Sequence, residues 1–246
     1  MWPIAQIETM KQIQDRSLLF WTLILPVIFI ILFIEVFGVD GVSRSAVASQ
    51  TVTGMSVFFA AFIIISIVIT FVKDREKGIV ARLASTPLSP AEFFVGKALP
   101  FLVITVGQIV ILSSLGIVFY GMEINQYFTY FFVISLFSLM ITSWGIAIAL
   151  FSKTENTGIV MAQVIAMGTA LVSGLWMPFD TLPDFLQTLG KILPQYWAHQ
   201  GMLSAVPTLP GGEALWLVSL IIGAYTIAGF ILSLFAYRTY LKMARN

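Results

Sequence analysis

Residues 52–72 read VTGMSVFFAAFIIISIVITFV and are followed at 73–77 by KDREK. The first part carries no formal charge over the length a helix needs to cross a hydrocarbon layer about 30 Å thick. The second part sets a run of charges against its end. A soluble helix keeps a polar face for water, so an apolar surface all the way round for this long implies lipid as the surroundings. The stretch is read as a membrane span, and the charged run behind it marks the return to water.

The same pattern repeats along the chain. Candidate spans are Leu18–Phe37, Val52–Val72, Ala98–Phe119, Tyr127–Phe151, Ile159–Met177 and Leu215–Tyr237. Composition agrees: 10% of the 246 residues are charged and 59% are apolar, against about 25% charged in an ordinary soluble domain. Unpaired backbone is costly in lipid, and continuous apolar runs suit helices rather than the shorter alternating strands of a barrel. The expected fold is an all-α integral membrane protein with six transmembrane helices, residues 1–246 forming one transmembrane domain. The first run is too long for a signal-peptide core and lacks a small-residue cleavage site, so it is read as a span.

Orientation follows from Lys and Arg. With the N-terminus in the cytoplasm, the inner segments hold Lys11, Arg16, Lys73, Arg75, Lys77, Arg82, Lys97, Lys153, Arg238, Lys242 and Arg245, leaving Arg44 and Lys191 outside. That bias predicts cytoplasmic N- and C-termini. Glu35 could be an intramembrane carboxylate that binds a cation or orients a substrate. Its place near the end of its span favours a group that water reaches. Pro26 lacks an N–H and is expected to kink the first helix or fix its packing. Gly145, Ala147, Ala149, Gly168, Ala170, Gly223 and Gly229 can let helices approach closely. Trp21, Trp144, Trp176, Trp216 and Tyr237 are candidate interface anchors or simple apolar bulk.

Three further segments stand out. Ile4, Ile7, Met10 and Ile13 recur about one turn apart and predict a short interfacial helix before the first span. Segment 73–97 contains Ile79-Val80-Ala81-Arg82-Leu83-Ala84, a possible short helix ended by Pro87. Ser89-Pro90-Ala91-Glu92 then makes a good helix start. This surface either receives a push from a soluble partner or lies on anionic lipid headgroups. Segment 178–214 has a helix start at Thr181-Leu182-Pro183-Asp184 and a second short run from Trp197 to Val206. Its apolar pieces should lie on or dip into the outer leaflet as re-entrant or interfacial helices, where they either gate the bundle or merely cover it.

Several chemistries are missing from the sequence. It has no cysteine and a single histidine, His199, so thiol chemistry and a His-rich metal cluster are excluded. No phosphate-binding G-x-x-x-x-G-K-[ST] loop and no H-E-x-x-H occur. His199 could meet Asp180 or Asp184, although ordinary loop hydrogen bonding is the plainer reading. Spans this poor in charge argue against a carrier driven by an ion gradient. A non-transporting scaffold, sensor or assembly factor remains the other alternative.

Asp74-Arg75-Glu76-Lys77-Gly78 through Arg82-Leu83, then Thr86-Pro87-Leu88-Ser89 and Gly96-Lys97, form one block between the second and third spans. Ser173-Gly174-Leu175-Trp176-Met177-Pro178-Phe179, with Leu182-Pro183 and Leu193-Pro194, forms another after the fifth. In this order within a six-span frame, the chain resembles the membrane-spanning permease subunits of ABC-2 type exporters. The resemblance covers essentially the whole chain. It implies a non-catalytic permease in a prokaryotic plasma membrane that exports or flips a hydrophobic or amphiphilic cargo such as a drug, lipid, peptide or glycan. The implied partners are a separate ABC ATPase subunit, a second permease, identical or homologous, and membrane lipid, with no nucleic acid. ATP and Mg²⁺ would belong to the ATPase, with no cofactor, metal or catalytic residue on this chain. A coupling region at Gly78, Ile79, Val80, Ala81, Arg82, Leu83, Ala84, Ser85 and Thr86 would contact the ATPase. Trp176, Pro178, Phe179, Leu182, Pro183 and Pro194 would form an outer gate.

Overall fold

The computed structural model describes residues 2–15, 19–38, 43–79, 90–207 and 213–243. Among them the regular structure is helical throughout. A first helix, α1 (Trp2–Gln14), precedes a π turn at Phe20–Ile24 and α2 (Leu25–Phe37). Then come α3 (Arg44–Ala61), α4 (Ile63–Glu76), α5 (Pro90–Tyr120), α6 (Tyr127–Phe151) and α7 (Glu155–Val172). Two short helices follow, α8 (Asp184–Gly190) and α9 (Pro194–Leu203), and then α10 (Leu215–Met243).

Among the described residues, five rods are long and apolar enough to cross a membrane: Arg44–Glu76, Val95–Tyr120, Tyr127–Phe151, Glu155–Val172 and Leu215–Tyr237. Phe20–Val36 is apolar but shorter. The protein is therefore an all-α, multi-pass membrane protein. Its expected second span is longer than the apolar run alone, because α3 and α4 continue into one another through a tight turn at Phe62. There the Phe62 and Ile65 N–H groups bond three residues back, to Phe59 and Phe62. The expected fifth span, α7, stops at Val172 rather than at Met177. Ser173 ends it, and Gly174 takes φ +67°, a conformation that favours glycine.

Burial sorts the rods. The most apolar window of α3–α4 is 72% buried and that of α6 is 67% buried, whereas α7 and α10 reach only 22% and 28%. The core is thus α4 against α6, with α10 along α6, α5 beside α3, and α7 beside α4. Two of the expected small residues permit this. A methyl group on Gly145 would lie 2.6 Å from Ile67, and one on Gly229 would lie 2.3 Å from Ser143. Gly168 and Gly223 face open space instead. Gly54 is the tightest site: its missing Cβ would fall 2.0 Å from the Leu175 carbonyl oxygen, where α3 crosses the turn after α7. Trp144 is no interface anchor, since its indole donates to the Tyr225 carbonyl at 2.9 Å, between α6 and α10.

Just before Pro26, a residue type that disfavours a regular preceding turn, the Leu25 N–H bonds five residues back to Phe20. The widened turn is the π segment.

Candidate functional site

Helix α1 is amphipathic with the polar side inward. Trp2, Ile7, Met10 and Ile13 are exposed, while Ala5, Glu8 and Gln12, spaced by three and four residues, are buried. The buried stripe packs on α5. Apolar groups turned outward suit lipid, and carboxyl and amide groups turned inward need partners.

Those partners come from both roots of segment 73–97. The Lys97 ammonium, in the second turn of α5, donates to the Glu8 carboxylate at 2.8 Å and also to Asp74 at the end of α4. Gln12 donates to Glu8 and to Thr70, each at 3.1 Å. Lys11 stands half exposed at 3.8 Å from Glu8 and 3.9 Å from Asp74. Two carboxylates and two ammonium groups therefore balance. Glu8, Lys97 and Asp74 are 2%, 3% and 6% exposed, so the pairs work in a weakly screened setting where loss of one partner costs about 3–5 kcal/mol. Burial pushes the Glu8 carboxyl up. The Lys97 charge, the hydrogen bonds from Lys97 and Gln12, and the Lys11 charge outweigh it and hold the group below its ordinary value.

Arg75 extends the network to a fourth helix. Its guanidinium donates to the carbonyls of Ser152, at 2.8 Å, and Lys153. A cation here meets the negative end of the α6 helix dipole, where carbonyls lack intrahelical partners. Tyr240 of α10 closes the cluster by donating to the Phe71 carbonyl at 2.8 Å, with its ring 5.7 Å from the Arg75 guanidinium. Asp74 and Arg75, adjacent in sequence, thus connect α1, α4, α5, α6 and α10.

The run KDREK does not behave as one solvated face. Lys73, Glu76 and Lys77 are exposed, while Asp74 and Arg75 are buried. Both described ends of segment 73–97 are helical: α4 reaches Glu76, and α5 starts at Pro90, the expected first position. Gly78 turns the chain with φ +66°, and Gly78 and Ile79 are half-buried. Val80, Ala81, Arg82, Leu83, Ala84, Ser85 and Thr86 of the expected coupling region lie outside the described residues, as does the Ser89 cap.

At the other end of the bundle, the six expected gate residues separate. Phe179, Leu182 and Pro194 are buried, Pro178 and Pro183 are exposed, and Trp176 is half-buried edge-on to Phe58 at 5.2 Å. Phe179 packs on Tyr196 with ring centroids 4.4 Å apart. Helix α9 is buried among α3, α6 and α10. Helix α8 exposes Phe185 and Leu189, with Ile192 exposed just beyond its end. His199 bonds Thr53 at 3.1 Å rather than either aspartate. Burial, only partly offset by the Gln50 backbone, pushes its imidazole down to about 4. Glu35 pairs with Arg44, and both are more than half exposed, so the pair is a surface contact worth about 0–1 kcal/mol.

Two glutamines were invisible as site residues in the sequence, Gln12 and Gln108. Gln108 is 2% exposed on α5, and neither atom of its amide has a hydrogen-bond partner among the described residues. An unmet buried amide costs about 1–3 kcal/mol. Among the described residues, no group of three His, Cys, Asp or Glu side chains could hold a metal ion.

The long apolar rods, together with the family match that follows, make this a multi-pass plasma-membrane protein. Residues 2–206 match the model of the ABC-2 type transporter family, and the chain belongs to that family. It is a non-catalytic permease component of an ABC transporter. It is 26% identical over 234 residues to the Bacillus subtilis "Putative transport permease YvfS", covering 94% of both chains. It is 28% identical over 167 residues to the B. subtilis "Linearmycin resistance permease protein LnrN", covering 68% of this chain and 43% of that one. A 123-residue match, also 28% identical, relates it to the Escherichia coli "Probable multidrug ABC transporter permease YbhR", covering 50% of this chain and 33% of that one. The chain thus spans less than half the length of two of these relatives.

Proposed function

We propose that this chain forms half of an export pathway for a hydrophobic or amphiphilic cargo, driven by a separate ABC ATPase that docks on residues 78–86. In this reading residues 1–246 are one domain crossing the membrane six times, with Phe20–Val36 in the first span and both ends in the cytoplasm. A second permease, identical or homologous, supplies the other half, and ATP and Mg²⁺ sit on the ATPase.

The observation that carries the reading is the position of the Glu8–Lys97–Asp74 junction. It joins the two helix ends from which segment 78–86 hangs, and Arg75 beside it holds the end of α6. A push on 78–86 then displaces α1, α4, α5 and α6 together instead of bending one loop. Such a displacement shifts cargo access only if cargo binds the two states with different affinity. The outer contacts of Phe179, Leu182 and Pro194, with Trp176 against Phe58, are the proposed gate at the far end, and Pro178 and Pro183 shape its turns.

The test is copurification in mild detergent, followed by ATP hydrolysis with and without cargo. The full chain should bring down an ABC ATPase, and Arg82→Glu should lower that recovery at least tenfold. Undiminished recovery and normal cargo export after 78–86 is replaced by a Gly-Ser stretch would remove the proposed docking site.

A further inference from the structure

We infer that the cleft between α1, the π turn and α5 binds a neutral, single-chain amphiphile that enters from the lipid side. The cleft measures about 190 Å³ and is lined in part by Gln12, Leu19, Ile104, Gly107, Gln108 and Ile111. The cavity that admits benzene in a protein core is about 150 Å³, so this space takes one stretch of chain with a small polar group, the rest lying along the bundle in lipid.

Three observations fix the chemistry. Leu19 and Ile111 on the lining are 42% and 50% exposed, so the opening faces the apolar surroundings of the bundle. Gln108 is the exception on its helix: Thr105 and Ser113, also buried on α5, donate to their own helix at Phe101 and Ile109, at 2.7 and 2.8 Å. The Gln108 amide meets no described partner and can offer both a donor and an acceptor. Gly107 beside it leaves open space, with no atom within 4 Å of where a Cβ would stand. A ligand with a hydroxyl or amide in an otherwise apolar chain satisfies the glutamine and fills the room next to it.

Charge and depth narrow the ligand further. Among the described residues no charged side chain lines the cleft, so a phosphate or ammonium group would find no counter-charge from them. Gln108 lies eleven residues beyond Lys97 on α5, about 16 Å along the axis. With Lys97 at the inner face, Gln108 is the deep end of a cleft whose shallow end, at Gln12 and Leu19, lies by the inner junction. The inference rests on α5 being a membrane span and is independent of where an ATPase docks.

The test uses the purified full-length permease, without an ATPase, in phosphatidylcholine nanodiscs. Because the chain has no cysteine, Ile111→Cys carries a single bimane fluorophore at the rim. Oleyl alcohol, 1-octadecene and oleate at pH 9 are titrated in. The expected result is a saturable emission change with oleyl alcohol, and at least tenfold weaker responses with the hydrocarbon and the anion. Adding Gln108→Leu should abolish the preference for the alcohol while leaving the melting temperature equal or higher, and adding Gly107→Leu should abolish saturation altogether. Equal, unsaturable responses to alcohol and hydrocarbon, or full preference retained in Gln108→Leu, would overturn the site while leaving the proposed ATPase docking untouched. Mass spectrometry of lipid extracted from the purified protein separates the two sources of such a molecule. A resident membrane component copurifies near one per chain and is lost in Gly107→Leu, whereas a transported one is absent from the extract yet competes in the titration.

Discussion

The Lys97 ammonium lies 2.8 Å from the Glu8 carboxylate, across 89 residues of chain, with both groups out of reach of water. This bond ties an outward-greasy helix to the bundle through its polar side. Lys97→Met should be the most damaging single change at the junction, because it leaves the buried Glu8 and Asp74 with only the half-exposed Lys11, 3.8 and 3.9 Å away. Breaking a buried pair costs about 3–5 kcal/mol. Glu8→Gln or Asp74→Asn should cost less, since Lys97 keeps one carboxylate. Thermal unfolding in detergent gives the order, with Lys97→Met the lowest of the three. If Lys97→Met melted with the wild type, the junction would hold nothing together.

The acid response of the same junction has a definite sign. The Glu8 carboxyl titrates below its ordinary value of 4.5 when folded. The stabilisation it gives is fully present above that value and is lost as pH falls through the lower folded value. Amide exchange of α1, corrected for the intrinsic pH dependence, should therefore be flat from neutral pH down to about 5 and rise in stronger acid. Glu8→Gln should abolish the acid-dependent part of that rise. A transition centred near pH 7 would point to another group.

Glycine substitutions should divide by what a methyl group meets. Gly54→Ala drives a carbon against the Leu175 backbone oxygen, which no rotamer can relieve, so a loss of about 1–3 kcal/mol or more is expected. Gly168→Ala and Gly223→Ala enter open space and should be neutral or stabilising by up to about 1 kcal/mol. Melting temperatures of the three variants in one detergent check this. Equal losses in all three would mean that the helix contacts at Gly54 differ from those described.

The rods were legible in the sequence and the junction was not, for one physical reason. Lipid excludes charge over some twenty consecutive residues, and that exclusion shows in a linear string. Whether Asp74 or Lys73 turns inward depends on how far α4 runs past the apolar stretch and on where α1 folds back. Neighbouring charges in a single run cannot reveal that. A weak signal was present in α1: Ala5, Glu8 and Gln12 repeat at helical spacing opposite Ile7 and Met10. Gln108 left no trace because one amide within a span alters hydropathy little. The expected fifth span, α7, was placed too far along the chain because Leu175-Trp176-Met177 is as apolar as the helix before it, although Gly174 marked the turn.

Membrane topology gives the broadest prediction. Since the chain has no cysteine, single cysteines at exposed Lys77 and Lys191 can be labelled with a membrane-impermeant maleimide in intact cells. Lys191→Cys, just beyond α8, should label from outside, and Lys77→Cys should label only after the membrane is opened. Both side chains are solvated, so neither change should disturb folding, and surface substitutions of this kind usually stay within about 0.5 kcal/mol. The two positions are separated by α5, α6 and α7, three crossings in the proposed arrangement, which puts them on opposite faces. Label appearing on Lys77→Cys from outside would reverse the inner face and separate residues 78–86 from any cytoplasmic ATPase. Label on both from outside would require an even number of crossings between them, which three spanning helices cannot supply.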